Sequence, residues 1–209
     1  MLKVIVTQRI DYIREYDETR DSIDQKLLEW LLTAGLLPIP VSNKLIASNK
    51  NYNQKSPLLS WLLSIKPDAL VLSGGNDIGQ YLDRDKTELF LLDWAKKNKL
   101  PVLGICRGMQ MMSIYSGCNL IKVSGHVNSR HKLTFKNTEI DLPREVNSFH
   151  EFAINECPEE YKILANSEDG IIEAIQHDDL PWEGWMWHPE REKNFSLRNL
   201  KHFKKLFIN

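Results

Sequence analysis

The chain has 209 residues, with 27 Lys and Arg against 28 Asp and Glu, a net charge of −1 and 42% hydrophobic residues. That length buries a substantial core in one domain, expected over 1–209, and the charge balance argues against nucleic acid or an anionic membrane as partner. The cysteines Cys106, Cys118 and Cys157 are too few and too irregular for a disulfide framework or a zinc site, and no apolar run spans a bilayer, so a cytoplasmic chain without metal or cofactor is expected.

In chain order, Leu2 to Thr7 is a β-branched run and predicts a buried strand. Asp21 to Gly35 carries Ile23, Leu27, Leu28, Leu31 and Leu32 at helical spacing, and Leu36 to Val41 predicts a short or edge strand interrupted by prolines. Asn43 to Ser56 is polar and predicts a loop, followed by a helix over Pro57–Ile65 and a strand over Ala69–Leu72 that runs into Ser73-Gly74-Gly75. A helix over Lys86–Lys99, a strand over Val102–Ile105 and a helix over Arg107–Ser116 follow. This alternation predicts an α/β fold with an open, mostly parallel sheet and helices on both faces. Between Cys118 and Ile140 the rhythm gives way to a small β-rich, hairpin-like excursion. Strands are then predicted at Phe152–Ile154, Ile171–Gln176 and Trp185–Trp187, with a final helix over Ser196–Phe207.

PVLGICRGMQ (Pro101–Gln110) places Cys106 at a predicted strand end with a helix directly behind it. Gly104 and Gly108 flank it as in a nucleophile elbow, and a helix N-terminus favours thiolate over thiol. A small buried core cysteine is the competing reading. His188 also follows a predicted strand, and Glu190 two residues later can reach back to its ring, although a lone loop histidine is the plain alternative. Gly74 and Gly75 offer backbone N–H groups at another strand end, as does Arg107 after the cysteine; together they make an oxyanion site, and taken alone SGG is only a turn.

With these pieces assembled, LSGGNDIG (Leu72–Gly79), PVLGICRGMQ, NSFHEFAI (Asn147–Ile154) and WHPE (Trp187–Glu190) resemble the class I glutamine amidotransferase-like family, in particular its free-standing γ-glutamyl hydrolases. The resemblance implies a flavodoxin-like topology, a Cys106–His188–Glu190 triad and an oxyanion hole from the backbone of Gly75 and Arg107. It also implies glutamyl contacts at Gly74, Gln110, Glu151 and Phe152. His150, counted with these substrate-binding positions, matches a family histidine whose role is either structural or catalytic. Met186 departs from the glutamine that many relatives carry, so a polar contact there is missing or replaced.

The pattern Arg84, Asp85, Glu88, Leu91, Leu92 and the ICRGMQ form resemble the hydrolases more than ammonia-delivering glutaminases, and no synthetase domain is fused. The segment VTQRIDYIREYDETRDSIDQKLLEWLL resembles the branch acting on γ-glutamyl-CDP-amidate in capsular phosphoramidate synthesis. This implies a nucleotide-linked small-molecule substrate, with glutamate and cytidine diphosphoramidate as products. Arg9, Arg20, Asp24 and Gln25 stand near the first strand end and are candidates for its distal part, or simply a solvated loop and helix start. Trp182, Trp185 and Trp187 either stack on a base or pack the core; His126 and His131 either border a phosphate or mark a hairpin tip. The alternatives that remain are a glutaminase feeding ammonia to a separate synthetase, a hydrolase of γ-glutamyl-polyamine or γ-aminobutyrate amides, and a non-enzymatic binding module.

Overall fold

Strand and helix alternate through the first half of the computed structural model, which describes residues 1–46, 56–136 and 141–207. The elements are β1 (Leu2–Val6), β2 (Arg9–Ile13), β3 (Glu18–Ser22), α1 (Gln25–Thr33), β4 (Leu36–Pro40), α2 (Pro57–Ile65), β5 (Ala69–Leu72), α3 (Leu82–Asn98), β6 (Val102–Ile105) and α4 (Arg107–Tyr115). They continue with β7 (Leu120–Lys122), β8 (Val127–Phe135), β9 (Glu145–Phe149), β10 (Phe152–Ile154), β11 (Tyr161–Ser167), β12 (Ile172–His177), β13 (Trp182–Trp185) and α5 (Leu197–Phe207). A nine-stranded sheet has the order β4-β1-β5-β6-β13-β12-β11-β8-β9. The run from β4 to β13 is parallel, and every pair from β13 to β9 is antiparallel.

Both faces of the parallel strands β5, β6 and β13 are buried, as βαβ crossovers require. Val4 and Val6 of β1 point into a core with Leu27, Trp30 and Leu31 of α1 and Leu200, Phe203 and Phe207 of α5. Ile5 points the other way, into a core with Leu58 and Leu62 of α2, Leu91, Leu92 and Ala95 of α3, and Met109 and Met112 of α4. The expected parallel sheet with helices on both faces is therefore present.

The structure corrects several boundaries. Residues 9–22 form a two-stranded hairpin, β2 with β3, that turns at Asp17 in the left-handed region, and α1 begins only after Asp24, whose carboxylate accepts the Lys26 N–H at 2.9 Å. Helix α3 starts a turn earlier than predicted, its first turn carrying Arg84 and Asp85 on the buried side. Strand β13 covers Trp182–Trp185 rather than Trp185–Trp187, in parallel register with β6. The β-rich segment is more than a hairpin excursion: β7 pairs with β10 in a separate ribbon, while β8 and β9 extend the main sheet. Strand β11 is offset by a bulge between Ile163 and Ala165, which breaks its alternation in the sequence. The predicted loop at 43–56 falls outside the described residues from 47 to 55, as does 137–140 of the excursion.

Candidate active site

Cys106 sits where β6 hands over to α4, with φ 51° and ψ −105°. A non-glycine residue at positive φ carries strain of about 1–3 kcal/mol, so the surroundings must hold it there. Its N–H donates to the Trp185 carbonyl at 2.7 Å, and its carbonyl accepts the Gln110 N–H at 3.1 Å. The flanking glycines are steric requirements. A Cβ on Gly104 would lie 2.6 Å from the Gly108 carbonyl carbon, and one on Gly108 would run into the backbone of Leu72. The elbow thus presses α4 against β5 as well as β6, and Cys106 is left only 6% exposed.

His188 follows β13, and its Nδ1 is 2.7 Å from Glu190 Oε1, which fixes the ring so that Nε2 is free to meet the thiol. Burial alone favours a neutral ring, yet the negative charge that Cys106 can carry and the Glu190 carboxylate hydrogen-bonded to the ring outweigh that and hold the imidazole up at about 9. At the other two cysteines, burial pushes the thiols up, Cys157 to about 11. Beneath the imidazole lies Gly74, where a Cβ would be 2.5 Å from His188 Cε1. Sequence reasoning missed the residue that seats His188: Asn147 accepts its backbone N–H at 3.0 Å and donates to its carbonyl at 2.8 Å.

A second omission lies under the glycine loop. The buried Arg84 guanidinium donates to the carbonyls of Ser73 at 2.8 Å and Gly74 at 3.0 Å, and also to that of Gly75. With its carbonyls held below, the loop directs N–H groups the other way. Arg84 pairs with Glu88 Oε1 at 3.1 Å, while the other Glu88 oxygen and Asp85 bind the Arg107 side chain. One carboxylate therefore ties together both backbone segments expected to form the oxyanion hole. Neither the Gly75 nor the Arg107 N–H has an acceptor among the described residues. Burial works against the charge of Glu88, but its pairing with Arg107 and Arg84 keeps it below the usual carboxylate range, while burial lowers Arg84 to about 10.

A cleft of about 320 Å³ opens over this corner, lined by Gly75, Cys106, Arg107, Gln110, Phe149, His150, Glu151 and Phe152 among others. Gln110, which lines the cleft, donates through Nε2 to the Phe152 carbonyl at 2.7 Å. The Met186 sulfur lies 3.9 Å from the same amide nitrogen, so a soft acceptor stands at this position. His150 Nδ1 shares the Phe152 carbonyl at 3.0 Å.

Arg9 lines a narrower gap with Gly74, His188 and Glu190. Arg20 is instead exposed on β3, paired with Glu18 at 2.6 Å, and Gln25 is exposed at the start of α1; neither lines the Cys106 cleft. A separate hollow of about 370 Å³ between the β2–β3 hairpin and the start of α3 carries Asp21, Lys44 and Asp83 and excludes the cysteine. Trp182, Trp185 and Trp187 are core: Trp185 stacks on Trp187 at 5.3 Å, and all three are buried.

The Peptidase C26 family model matches residues 17–190. The gamma-glutamyl-CDP-amidate hydrolase of Campylobacter jejuni subsp. jejuni serotype O:2 is 30% identical over 97% of this chain and 96% of its own length. A subunit of the glutamine-hydrolyzing GMP synthase of Pyrococcus furiosus is 28% identical over 63% of this chain and 71% of its own. A Thermoplasma acidophilum crystal structure, described provisionally as a GMP synthase subunit, superposes with a TM-score of 0.71 at 23% identity, covering 99% of this chain and 94% of that one.

Proposed function

The chain belongs to the Peptidase C26 family of class I glutamine amidotransferase-like proteins, and from that premise we propose that it hydrolyses a γ-glutamyl amide through a γ-glutamyl thioester on Cys106, its substrate being γ-glutamyl-CDP-amidate. The observation that carries this reading is the meeting of Cys106 with an imidazole already fixed by Glu190, at the mouth of the cleft lined by Gly75, Arg107 and Gln110. The Cys106 thiolate attacks the γ-carbonyl carbon, and the N–H groups of Gly75 and Arg107 stabilise the resulting oxyanion. The imidazolium Nε2 proton passes to the departing nitrogen as the C–N bond breaks, releasing cytidine diphosphoramidate. His188 then takes a proton from water, which attacks the thioester; glutamate leaves and the thiolate returns. Glu190 holds the tautomer and stabilises the cationic ring. In this reading the amidate product supplies capsular phosphoramidate synthesis.

A glutaminase that passes ammonia to a partner synthetase is the second reading, favoured by the likeness to GMP synthase subunits. Steady-state kinetics with γ-glutamyl-CDP-amidate, glutamine and a γ-glutamyl-polyamine separates the two. The proposal expects kcat/KM for the nucleotide substrate to exceed that for glutamine by at least about 100-fold, a difference on the order of 3 kcal/mol in transition-state binding. Equal or higher values for glutamine overturn the substrate assignment, and no release of glutamate from any of the three overturns the hydrolase.

A further inference from the structure

Behind the cleft, four side chains from distant parts of the chain converge. They are His126, just before β8; His131, on β8; His150, between β9 and β10; and Glu173, on β12. Each offers one ligand atom, and the four atoms lie within 4.8 Å of one another. His126 is 1%, His150 3% and Glu173 0% exposed, and His131 is half-buried. His126 Nδ1, His131 Nε2, His150 Nε2 and both Glu173 oxygens are buried without a hydrogen-bond partner among the described residues. Buried polar atoms without partners are uncommon, and five in one spot need a common explanation.

Hydrogen bonds on the outer side decide what faces inward. His126 Nε2 is 2.9 Å from Asp169 Oδ2, and a carboxylate only accepts, so Nε2 carries the proton and Nδ1 presents its lone pair. His150 Nδ1 is 3.0 Å from the Phe152 carbonyl, so it too donates outward and Nε2 presents a lone pair. These two lone pairs converge on Glu173 Oε1, at 3.7 Å from His126 and 3.5 Å from His150. Acceptors facing acceptors repel unless a positive charge lies between them. Were that charge a pair of protons, the contacts would close to about 2.7–2.9 Å, as charge-assisted hydrogen bonds do. The distances instead approach the edge of a tetrahedron around zinc, about 3.4 Å for bonds of 2.0–2.1 Å. Even a separation of 4.8 Å closes to that edge with about 1.4 Å of movement shared between two side chains.

We propose that His126, His131, His150 and Glu173 bind a divalent transition-metal ion, zinc by its ligand chemistry. An imidazole-rich set with one carboxylate and no thiolate fits zinc, and an outer carboxylate or carbonyl on the far nitrogen of a ligand histidine is the usual support of such sites. Four protein ligands leave no open position, so the ion is structural. Its position beside the cleft gives it a role there, because His150 and Gln110 hold the Phe152 carbonyl between them, and His150 and Phe152 line the cleft. The ion thereby stiffens the segment expected to receive the glutamyl group.

The test uses the full chain, stripped with a chelator and titrated with Zn²⁺ against a chromogenic competitor, with metal content measured by mass spectrometry and Co²⁺ absorption reporting the ligand geometry. One Zn²⁺ per chain, a tetrahedral Co²⁺ spectrum and a rise in Tm of about 5–10 °C at a hundredfold excess over Kd are expected. Glu173→Gln and His126→Ala should each weaken Zn²⁺ binding about 100-fold or more. Wild-type chain that takes up no Zn²⁺ at micromolar concentration overturns the proposal, as does binding that both variants retain. Nitrogen chemical shifts showing His126 and His150 doubly protonated in the metal-free, folded chain would also overturn it, by giving the cluster its positive charge without an ion.

Discussion

Two buried polar clusters flank the nucleophile, and they differ in one respect. In the cluster of Arg84, Asp85, Glu88 and Arg107, charges of both signs meet, and Arg84 also serves three loop carbonyls. In the cluster of His126, His131, His150 and Glu173, acceptors meet acceptors. The first explains itself as a frame: it holds the backbone of Gly75 and Arg107, and its charges neutralise one another. The second does not close without something positive from outside. A buried group with its partners present reads as structure; convergent groups without partners read as a ligand site.

The largest effect should fall between the clusters and touch neither. Cys106→Ala is expected to lower kcat/KM at least about 1,000-fold in a chain that still unfolds cooperatively, since Ala removes the nucleophile and keeps the turn that presents it. Retained turnover would show that the frame surrounds a bystander. Next in size, Arg84→Met leaves Glu88 short of one partner and three carbonyls unpaired, at a cost of about 3–5 kcal/mol in unfolding free energy, with kcat falling as the glycine loop loosens. A stable, fully active Arg84→Met chain would break the view of this cluster as a frame.

The third test concerns pH. His188 is held at about 9 in the fold, above the ordinary imidazole value near 6.5, so its pairing stabilises the chain fully below about pH 6.5. That stabilisation is lost as pH rises through about 9. Stability curves of wild type and Cys106→Ala should therefore converge with rising pH across this window, and parallel curves would contradict the thiolate–imidazolium pairing. The smallest effect separates the clusters most sharply. In chelated protein, Glu173→Gln gives the two imidazole lone pairs an amide donor and should alter unfolding free energy by less than about 1 kcal/mol, or raise it. Glu88→Gln should lower it by several kcal/mol, because Arg84 and Arg107 lose their shared anion. Equal losses from the two substitutions would erase the distinction.

What was legible in the sequence follows from where the chemistry is written. The parallel core and the elbow are each contained in short segments, so apolar runs sufficed for β5 and β6, while Cys106 between two glycines still also read as a buried thiol until SGG and WHPE were set beside it. His188 and Glu190 lie two apart and could be paired on sight. Arg84 and Glu88 could not be read as a frame because charges on a helix ordinarily face water, and here the inner face of α3 is charged at Arg84 and Glu88 before Leu91 and Leu92 take over. An i,i+4 Arg–Glu pair just ahead of Leu91 and Leu92 was the available signal. Asn147 stood inside the NSFHEFAI segment, but nothing local says that it clamps residue 188. The β2–β3 hairpin hid behind charged alternation, and the histidine cluster is spread from residue 126 to residue 173, joined only by the antiparallel half of the sheet.

The central claim is that Cys106 carries the γ-glutamyl group, and covalent labelling reads it directly. Incubation with a glutamine-analogue electrophile followed by peptide mass spectrometry should place one γ-glutamyl-type adduct on Cys106 and leave Cys118 and Cys157, whose thiols burial holds high, unmodified. Label spread equally over the three cysteines, or none at all on a folded chain, would contradict the account.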